Sequence, residues 1–447
     1  MASSLNTSAN HPYIPSTDSE RAEMLGVIGV DSLDDLLDDI PVEHRHPALN
    51  LAHGLSEQEL STLFGSIAAQ NASPSNRYIS FLGAGAYRHY IPSTVRSILQ
   101  RGEFVTAYTP YQPEAAQGTL QVGFEFQTVI CQLTGMEVAN AGMYDGPTAF
   151  AEACLMAARV TRRTKVGVLT SADRRLSETF FAYSKHQGIE LVEIAPDAND
   201  IPDDLACIGI QSPNFFGGIE DVERLTKLAH ENGALSVVHV NPTSLGMFKA
   251  PGEYDVDIVT AEGQPLGVPM AFGGPYVGLF ACKKAHIRQM PGRIIGCTTD
   301  TNGRTGYALT LQTREQHIRR ERATSNICTS TQLIGLMVTV YAATLGKQGI
   351  KDVAGLCYQK AHYAASKINK LDGYSVKSKG TFFHEFVVKC PTSPASINSA
   401  LLDQKIIGGL DISDRSDNGM LVCVTETSSK NDIDRFASAL SQIGAAL

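Results

Sequence analysis

Apolar and polar positions follow one another in blocks that predict strands and helices in turn. Short, nearly continuous apolar runs rich in β-branched residues predict buried strands at 165–170, 189–194, 206–211, 235–240, 257–259 and 276–282. Helical patterns precede and separate these runs, at 118–134, 147–163, 172–187 and 219–232. Strands of this kind among helices indicate an α/β fold with a mostly parallel sheet covered on both faces.

The pattern of apolar and polar positions is different at the two ends of the chain. Near the start, Ser56–Glu59 forms a capping-box pattern, and the apolar positions at i, i+3, i+4 and i+7 behind it predict one face of a helix. After a long helix at 325–347, helices and strands alternate in a compact α+β pattern. We therefore predict three parts: an N-terminal arm and helical segment at 1–75, a large α/β domain at 76–345, and a small α+β domain at 346–447.

Composition and charge narrow the class of protein. The chain has 447 residues, of which 43% are hydrophobic and 19% charged, as expected of a well-packed globular protein. Its net charge of -9, without a basic block, argues against nucleic acid and anionic membranes as partners. The start of the chain lacks the features of a secretory signal, and the nine cysteines contain no C-x-x-C pair. We expect reduced, buried thiols, no metal site and a cytoplasmic location.

Two motifs suggest a ligand but also have a plain structural explanation. Gly83–Gly85 begins like a dinucleotide fingerprint, yet the third glycine and the strand–turn–helix setting are missing, so a loop passing close to another surface is favoured. A helix begins after Asp145, where backbone N–H groups could bind a phosphate. The sequence favours Asp145 as the N-cap of this helix over a phosphate site, because its charge repels anions and its side chain uses the free N–H groups.

Two further stretches stand out by composition. The segment T-A-Y-T-P-Y-Q-P-E at 106–114 is stiffened by prolines and presents aromatic rings with hydroxyl tips, which suits a ligand or partner surface as well as an ordinary packed loop. The segment at 313–328 concentrates basic residues, but Glu315 and Glu321 nearly balance them. On its own, this pattern favours a solvated helix over a binding surface.

Several motifs, in order, resemble glycine decarboxylase P-protein. They are F-L-G-A-G-A-Y, Y-T-P-Y-Q-P-E, T-G-M-E-V-A-N-A-G-M-Y-D-G, E-G-Q-P-L-G with A-F-G-G-P-Y-V-G, and R-E-Q-H-I-R-R-E-R-A-T-S-N-I-C. The resemblance runs from about residue 12 to the end and is to the N-terminal half of that protein, which in many bacteria is a separate alpha chain, subunit 1. It implies a pyridoxal-phosphate-dependent transferase fold (aspartate-aminotransferase-like, fold type I).

The resemblance also implies cofactor chemistry, which needs a Schiff-base lysine, an acid at the pyridine nitrogen and a phosphate site. At the matching positions this chain has Gln264 for the lysine, Asn241 for the acid and Asp145 in the phosphate site. We therefore expect no catalytic residue and no bound cofactor on this chain alone, and pyridoxal phosphate on the homologous beta subunit.

The implied function is that of an alpha subunit of the glycine cleavage system. With the beta subunit, such a chain decarboxylates glycine and transfers the aminomethyl group to the lipoyl arm of H-protein. From the resemblance, the residues expected to complete the partner's site are Tyr108, Tyr111, Gln112 and Glu114. The candidate interface or access residues are Arg314, His317 and Arg320. The alternatives are a structural or regulatory homologue outside such a complex, and a stand-alone pyridoxal-phosphate lyase that uses Lys249 or Lys283.

Overall fold

The computed structural model describes residues 13, 15–52, 54–74, 77–378 and 380–445. The chain forms two compact units, residues 1–70 and 71–447. The helices are α1 Asp18–Ile28, α2 Glu57–Ala68, α3 Ser93–Leu99, α4 Gly102–Val105, α5 Gln117–Thr134, α6 Gly146–Thr161, α7 Arg174–Ser184, α8 Val222–Glu231, α9 Gln316–Arg319, α10 Gln332–Ile368, α11 Pro394–Asp403 and α12 Lys430–Ala445.

The strands belong to four sheets. They are β1 Ile79–Ser80, β2 Val138–Ala139, β3 Lys165–Leu169, β4 Glu190–Ile194, β5 Leu205–Gln211, β6 Leu235–Val240, β7 Ile258–Glu262, β8 Gly278–Cys282, β9 Ile294–Thr299, β10 Thr305–Thr310, β11 Ser375–Val376, β12 Glu385–Lys389, β13 Ile406–Ile407, β14 Leu410–Asp411 and β15 Gly419–Cys423. The six strands β3 to β8 lie where the apolar runs predict them.

The predicted capping box is present in the first unit. The Ser56 hydroxyl accepts a hydrogen bond from the Glu59 N–H, and the Glu59 carboxylate accepts one from the Ser56 N–H, at 2.9 Å. The helix α2 that follows keeps its apolar face exposed, with Phe64 61% exposed and Leu63 45% exposed. The pattern therefore predicts the helix correctly, but this face does not form a core.

The second unit is built on a seven-stranded sheet in the order β2-β8-β7-β6-β5-β3-β4. Strands β4, β3, β5, β6 and β7 are parallel, whereas β8 and β2 are antiparallel to their neighbours. Helices α6 and α7 contribute to the apolar cluster on one side, and helices α5, α8 and α10 contribute to the other cluster. The sheet is thus mixed, mostly parallel and covered on both faces, which is the predicted α/β arrangement.

A two-stranded antiparallel hairpin, β9 with β10, follows the central sheet and is not predicted by the pattern. Strand β9 is buried only at its start, at Ile294 and Ile295, and its other half is exposed or half-buried. A strand that is mostly outside the core gives a weak apolar signal, so the alternation alone does not reveal it.

The C-terminal part forms a four-stranded antiparallel sheet in the order β11-β12-β15-β14, packed with α11 and α12. Helix α10 spans the predicted boundary at 345/346, and its backbone leaves the helical region at Gly346, with φ 61° and ψ −177°. By length and apolar composition α10 could cross a membrane, but it is broken at this glycine and its residues pack into the core of the unit.

The glycine-rich segment that follows β1 lies against the C-terminal sheet. A Cβ atom at Gly83 would lie 2.5 Å from the Cβ of Cys423, so no side chain fits there. The buried carboxylate of Glu385, at the start of β12, accepts hydrogen bonds from the Ala84 N–H at 2.6 Å and from the Tyr87 hydroxyl at 2.7 Å. One carboxylate therefore fastens this segment to the sheet.

Burial of this carboxylate predicts a pH-dependent stability. Desolvation raises the pKa of Glu385 from 4.5 to about 7. Between these pH values the folded chain binds more protons than the unfolded chain, so the free energy of unfolding falls as the pH rises from about 5 to 7. In Glu385→Gln the amide oxygen still accepts from the Ala84 N–H, and the amide N–H donates to the Tyr87 hydroxyl oxygen, which reverses the direction of that hydrogen bond. This variant should lack that decline and be more stable than the wild type by ~1–3 kcal/mol above pH 7.

Urea unfolding of both proteins at several pH values checks this. Asp411→Asn, which changes an exposed carboxylate on β14 in the same sheet, is the control. Parallel pH profiles for the wild type and Glu385→Gln would contradict the prediction.

Candidate functional site

A cavity of about 360 Å³ lies where the parallel strands end, which is the usual ligand position in an open α/β sheet. Asn241 follows β6, Glu262 ends β7, and Asp145 precedes α6; all three line the cavity. The glycine-rich segment 83–87 and the Phe383–Glu385 segment line it as well. Gln264 is only 2% exposed and lies behind the lining residues.

Asp145 uses its carboxylate within the chain. It accepts hydrogen bonds from the Thr148 N–H at 2.8 Å and from the Thr148 hydroxyl at 2.7 Å. The Thr148 hydroxyl is also within 3.2 Å of the Asp145 N–H, which completes a capping box. The predicted N-cap is confirmed, and the N-terminus of α6 has an anion of its own.

Asn241 is hydrogen-bonded at both ends of its amide. Its Oδ1 accepts from the Thr243 N–H at 3.0 Å, and its Nδ2 lies 2.8 Å from Nε2 of His384. Because the first contact fixes Nδ2 as the donor, Nε2 of His384 is the acceptor and the ring is neutral. Burial supports this state, since it lowers the pKa of His384 to about 3. This amide therefore has a partner inside the chain and cannot act as the acid that a pyridine nitrogen needs.

Gln264 fixes the glycine-rich segment. Its Oε1 accepts from the Tyr87 N–H at 2.8 Å, and its Nε2 donates to the carbonyls of Tyr87 at 2.9 Å and Val268 at 2.8 Å. These contacts use the amide's acceptor and both of its N–H groups. The residue at the expected lysine position therefore serves to hold two backbone segments together.

The cavity carries an excess of acidic groups. Four carboxylates line it, from Asp145, Asp173, Glu262 and Glu385, against one guanidinium, from Arg175. Arg175 contacts the carboxylate of Asp173 and donates to the carbonyl of Ala84, so it is already engaged.

Glu262 adds to this acidity at the end of β7. Burial raises the pKa of Glu262 to about 7, although its oxygens accept from the N–H groups of Gly146 at 2.9 Å and Gln264 at 3.0 Å. A phosphate placed beside these carboxylates would be repelled.

The alternative lysines are also engaged elsewhere. Lys283 forms ion pairs with Asp255 and Asp257, each at 2.8 Å. Lys249 lies 4.1 Å from the centroid of the Tyr254 ring. Among the residues that the structure describes, no lysine lines the cavity at the strand ends. The residues present therefore do not fit pyridoxal phosphate, because an amine, an acid at the pyridine nitrogen and a phosphate site are all missing.

The Y-T-P-Y-Q-P-E segment forms an exposed surface away from this cavity. Tyr108 is 83% exposed and Tyr111 44% exposed, and Gln112 and Glu114 are also exposed. These side chains do not line the cavity at the strand ends. They are accessible to another molecule, and their role remains a prediction.

The structure brings this segment together with the charged segment at 313–328. The ring of His317 meets the ring of Tyr111 edge-on, with centroids 5.3 Å apart. Arg293, just before β9, donates from Nη2 to the Tyr111 hydroxyl at 3.1 Å, and its guanidinium lies 5.0 Å from the ring centroid. Glu315 lies beside both bases, with one carboxylate oxygen 3.6 Å from Nε of Arg293 and 3.6 Å from Nδ1 of His317.

The three candidate interface residues differ in their surroundings. Arg314 is 8% exposed and donates to the carbonyls of Met290, Gly292 and Leu311, so it fixes a turn and does not have the exposed position expected of an interface side chain. His317 and Arg320 are exposed. The tight turn around Arg320 has φ 52°, so α9 ends there and the segment is not one continuous solvated helix.

Sequence reasoning missed Arg293, His384 and Glu385 as site residues. The last two lie in an apolar strand pattern, and the first lies in the short P-G-R-I-I stretch before the unpredicted hairpin. A charged or polar residue inside an otherwise apolar run is the signal that could have identified them, since such residues are buried only with a partner.

Comparisons with known proteins show the family of this chain. The family model described as glycine cleavage system P-protein matches residues 11–440. A protein of Desulfitobacterium hafniense named probable glycine dehydrogenase (decarboxylating) subunit 1 is 50% identical, over 96% of this chain and 99% of its own length. One of the same name from Chlorobium luteolum is 46% identical, over 97% of this chain and 100% of its own length.

Solved structures support the predicted fold. A crystal structure of glycine decarboxylase (P-protein) of the glycine cleavage system, in inhibitor-bound form, has a TM-score of 0.91 and 39% identity, covering 97% of this chain and 100% of that one. A glutamate decarboxylase of Lactobacillus brevis, at 14% identity, has a TM-score of 0.65 over 92% of this chain and 96% of its own, and shows the fold alone. The fold is that of pyridoxal-phosphate-dependent enzymes of fold type I, as predicted. The chain belongs to the glycine cleavage system P-protein family.

Proposed function

We propose that this chain is subunit 1 of a two-subunit glycine dehydrogenase (decarboxylating), and that pyridoxal phosphate is bound by the second subunit. The pair would act on glycine and pass the aminomethyl group to the lipoyl arm of H-protein. The observation that carries the proposal is the state of the three cofactor positions. Asp145, Asn241 and Gln264 each direct their polar atoms to partners within this chain.

The cofactor supplies the electron sink when bound, and this chain contributes no step through it. What the chain offers instead is an exposed, stiff surface. Tyr108, Tyr111, Gln112 and Glu114 present hydroxyl, amide and carboxylate groups that can orient a substrate or exclude water in a neighbouring site. His317 and Arg320 lie on the adjoining segment, where they could guide an acidic carrier protein towards that site.

The alternatives have less support. A stand-alone lyase would need Lys249 or Lys283 near the cavity, yet the first lies against Tyr254 and the second is paired with two aspartates. A homologue outside any glycine-cleaving complex would keep this fold without activity on mixing. We propose a cytoplasmic location, in keeping with the metabolic role for which the relatives are named.

The direct test is reconstitution with the second subunit from the same organism. We expect glycine–bicarbonate exchange only when the two chains are mixed with pyridoxal phosphate and lipoylated H-protein. Borohydride reduction of the complex should label the second subunit and leave this chain unlabelled, because this chain has no amine at the site. Exchange by this chain alone, or a reduced Schiff base on it, would overturn the proposal.

Restoring a lysine should not restore a cofactor site. In Gln264→Lys the Tyr87 N–H loses its acceptor, and an ammonium group is placed where a neutral amide is only 2% exposed. We expect a loss of stability of ~2–4 kcal/mol and no aldimine absorbance with pyridoxal phosphate. Gln264→Glu, which keeps the acceptor but buries a charge, should also be destabilised, whereas Gln187→Lys on the surface after α7 should be near neutral. A stable, coloured Gln264→Lys protein would contradict this.

The exposed tyrosine of the 106–114 segment should matter for activity and not for folding. Tyr108 is 83% exposed, so Tyr108→Ala should change the free energy of unfolding of the isolated chain by no more than ~0.5 kcal/mol. In the reconstituted pair, exchange activity should fall by ~10-fold or more, because an oriented group at the substrate is lost. Phe181→Ala, which truncates a 61% exposed ring on α7, is the matched control. Equal activity of the two variants would remove Tyr108 from the site.

A further inference from the structure

Arg293 is a buried charge whose role sequence reasoning did not reveal. Its side chain is 3% exposed and lies between the 106–114 segment and the charged segment. Nη2 donates to the Tyr111 hydroxyl at 3.1 Å, whereas Nε and Nη1 have no hydrogen-bond partner among the described residues. The hydroxyl of Tyr111 is therefore the one hydrogen-bond acceptor that the described part of the chain gives to this guanidinium.

The position of the guanidinium is fixed from the other side by Glu315. This carboxylate is buried, with its side chain 4% exposed, and lies 3.6 Å from Nε of Arg293. His317 closes the arrangement, because it lies 3.6 Å from Glu315 and packs edge-on against Tyr111. The four side chains form a closed ring in which each one contacts two of the others, so Tyr111 is held by a hydrogen bond, a cation–π contact and a ring contact.

These contacts decide which way the Tyr111 hydroxyl can donate. The N–H of Arg293 occupies a lone pair of Oη, and a hydroxyl cannot donate to a guanidinium, which has no acceptor. Burial raises the pKa of Tyr111 and Arg293 opposes this, so the group remains a protonated hydroxyl at neutral pH. Its other described hydrogen-bond partner is the Sγ of the exposed Cys328, at 3.9 Å, and either atom of that pair can be the donor. The O–H is therefore directed away from Arg293, where it can donate to the Sγ of Cys328 or to an approaching group, on a ring that is 44% exposed.

We infer that Arg293 is a positioning residue that orients the Tyr111 hydroxyl as a hydrogen-bond donor towards the partner subunit's site. The inference rests on the proposed function, since the site that receives the donor lies on the second subunit. Arg293 itself does not reach substrate; it acts through Tyr111. Loss of either group should remove the same oriented donor, which makes their effects on activity overlap.

A double-mutant cycle in the reconstituted pair tests this coupling. We expect Tyr111→Phe and Arg293→Gln each to lower kcat for glycine–bicarbonate exchange by ~10–100-fold, and the double variant to be no more than ~2-fold worse than Tyr111→Phe alone. Arg293→Lys, which keeps a donor and a charge, should recover part of the loss when Tyr111 is intact and none when it is combined with Tyr111→Phe. Arg304→Gln, in the exposed turn of the same hairpin, is the control and should combine additively with Tyr111→Phe.

Multiplying effects in the double variant would overturn the inference, since Arg293 would then act by a route that does not involve Tyr111. A second measurement does not depend on activity. In the isolated chain, 3-fluorotyrosine at position 111 should give a sharp ¹⁹F signal shifted from that of an exposed tyrosine. Arg293→Gln should move it to the exposed value, and Arg304→Gln should not.

An unchanged ¹⁹F signal in Arg293→Gln would also overturn the inference. If the wild-type pair shows no exchange, the proposed function fails while the ¹⁹F result still decides whether Arg293 orients Tyr111. The two failures are therefore distinguishable.

Discussion

The arrangement of the cavity depends on the hydrogen bonds that the buried side-chain amide of Gln264 makes to the backbone. A Schiff-base lysine at this position would have a single amine, which has to stay accessible to the cofactor. The amide of Gln264 instead offers one acceptor and two N–H donors to the backbone. Those atoms join the turn after β7 to the glycine-rich segment, and Glu385 joins the same segment to the C-terminal sheet. Two buried polar side chains thus connect three parts of the second unit around one cavity.

Hydrogen bonds within the chain also occupy the other two positions that the resemblance assigns to the cofactor. Asp145 caps α6, and Asn241 caps the 3-10 turn that follows β6 while holding His384 in its neutral form. Each residue is at the end of a strand or the start of a helix, where backbone groups lack partners within the element. Polar side chains there supply those partners, so each position stabilises the fold by itself, without a cofactor.

Much of the fold can be predicted from the sequence, because buried segments are visible in it as runs of apolar residues. Strands β3 to β8 and the N-cap of α6 are predictable, since a sheet covered on both faces must be continuously apolar and a helix start needs an acceptor. The hairpin β9–β10 escapes prediction because half of β9 is exposed. The apolar face of α2 correctly indicates a helix, but the pattern cannot say whether anything covers it.

The site is less predictable than the fold for a physical reason. Asp145, Asn241 and Gln264 are identified by resemblance, but their hydrogen-bond partners come from residues as far away as His384. Arg314 is a charged residue of the type usually found at the surface, but here it is buried and donates to three backbone carbonyls. The contact of Tyr111 with Arg293 joins residues 182 positions apart, so no local pattern could have placed them together.

The self-contained cavity has a consequence for how the protein is made. A ligand that binds only the folded state stabilises it, so an enzyme that holds pyridoxal phosphate is less stable when vitamin B6 is scarce. Here Asp145, Asn241 and Gln264 already have hydrogen-bond partners within the chain. If the second subunit binds the cofactor, as proposed, this subunit can be completed and stored without the vitamin, and supply of the cofactor controls the pair through one chain only.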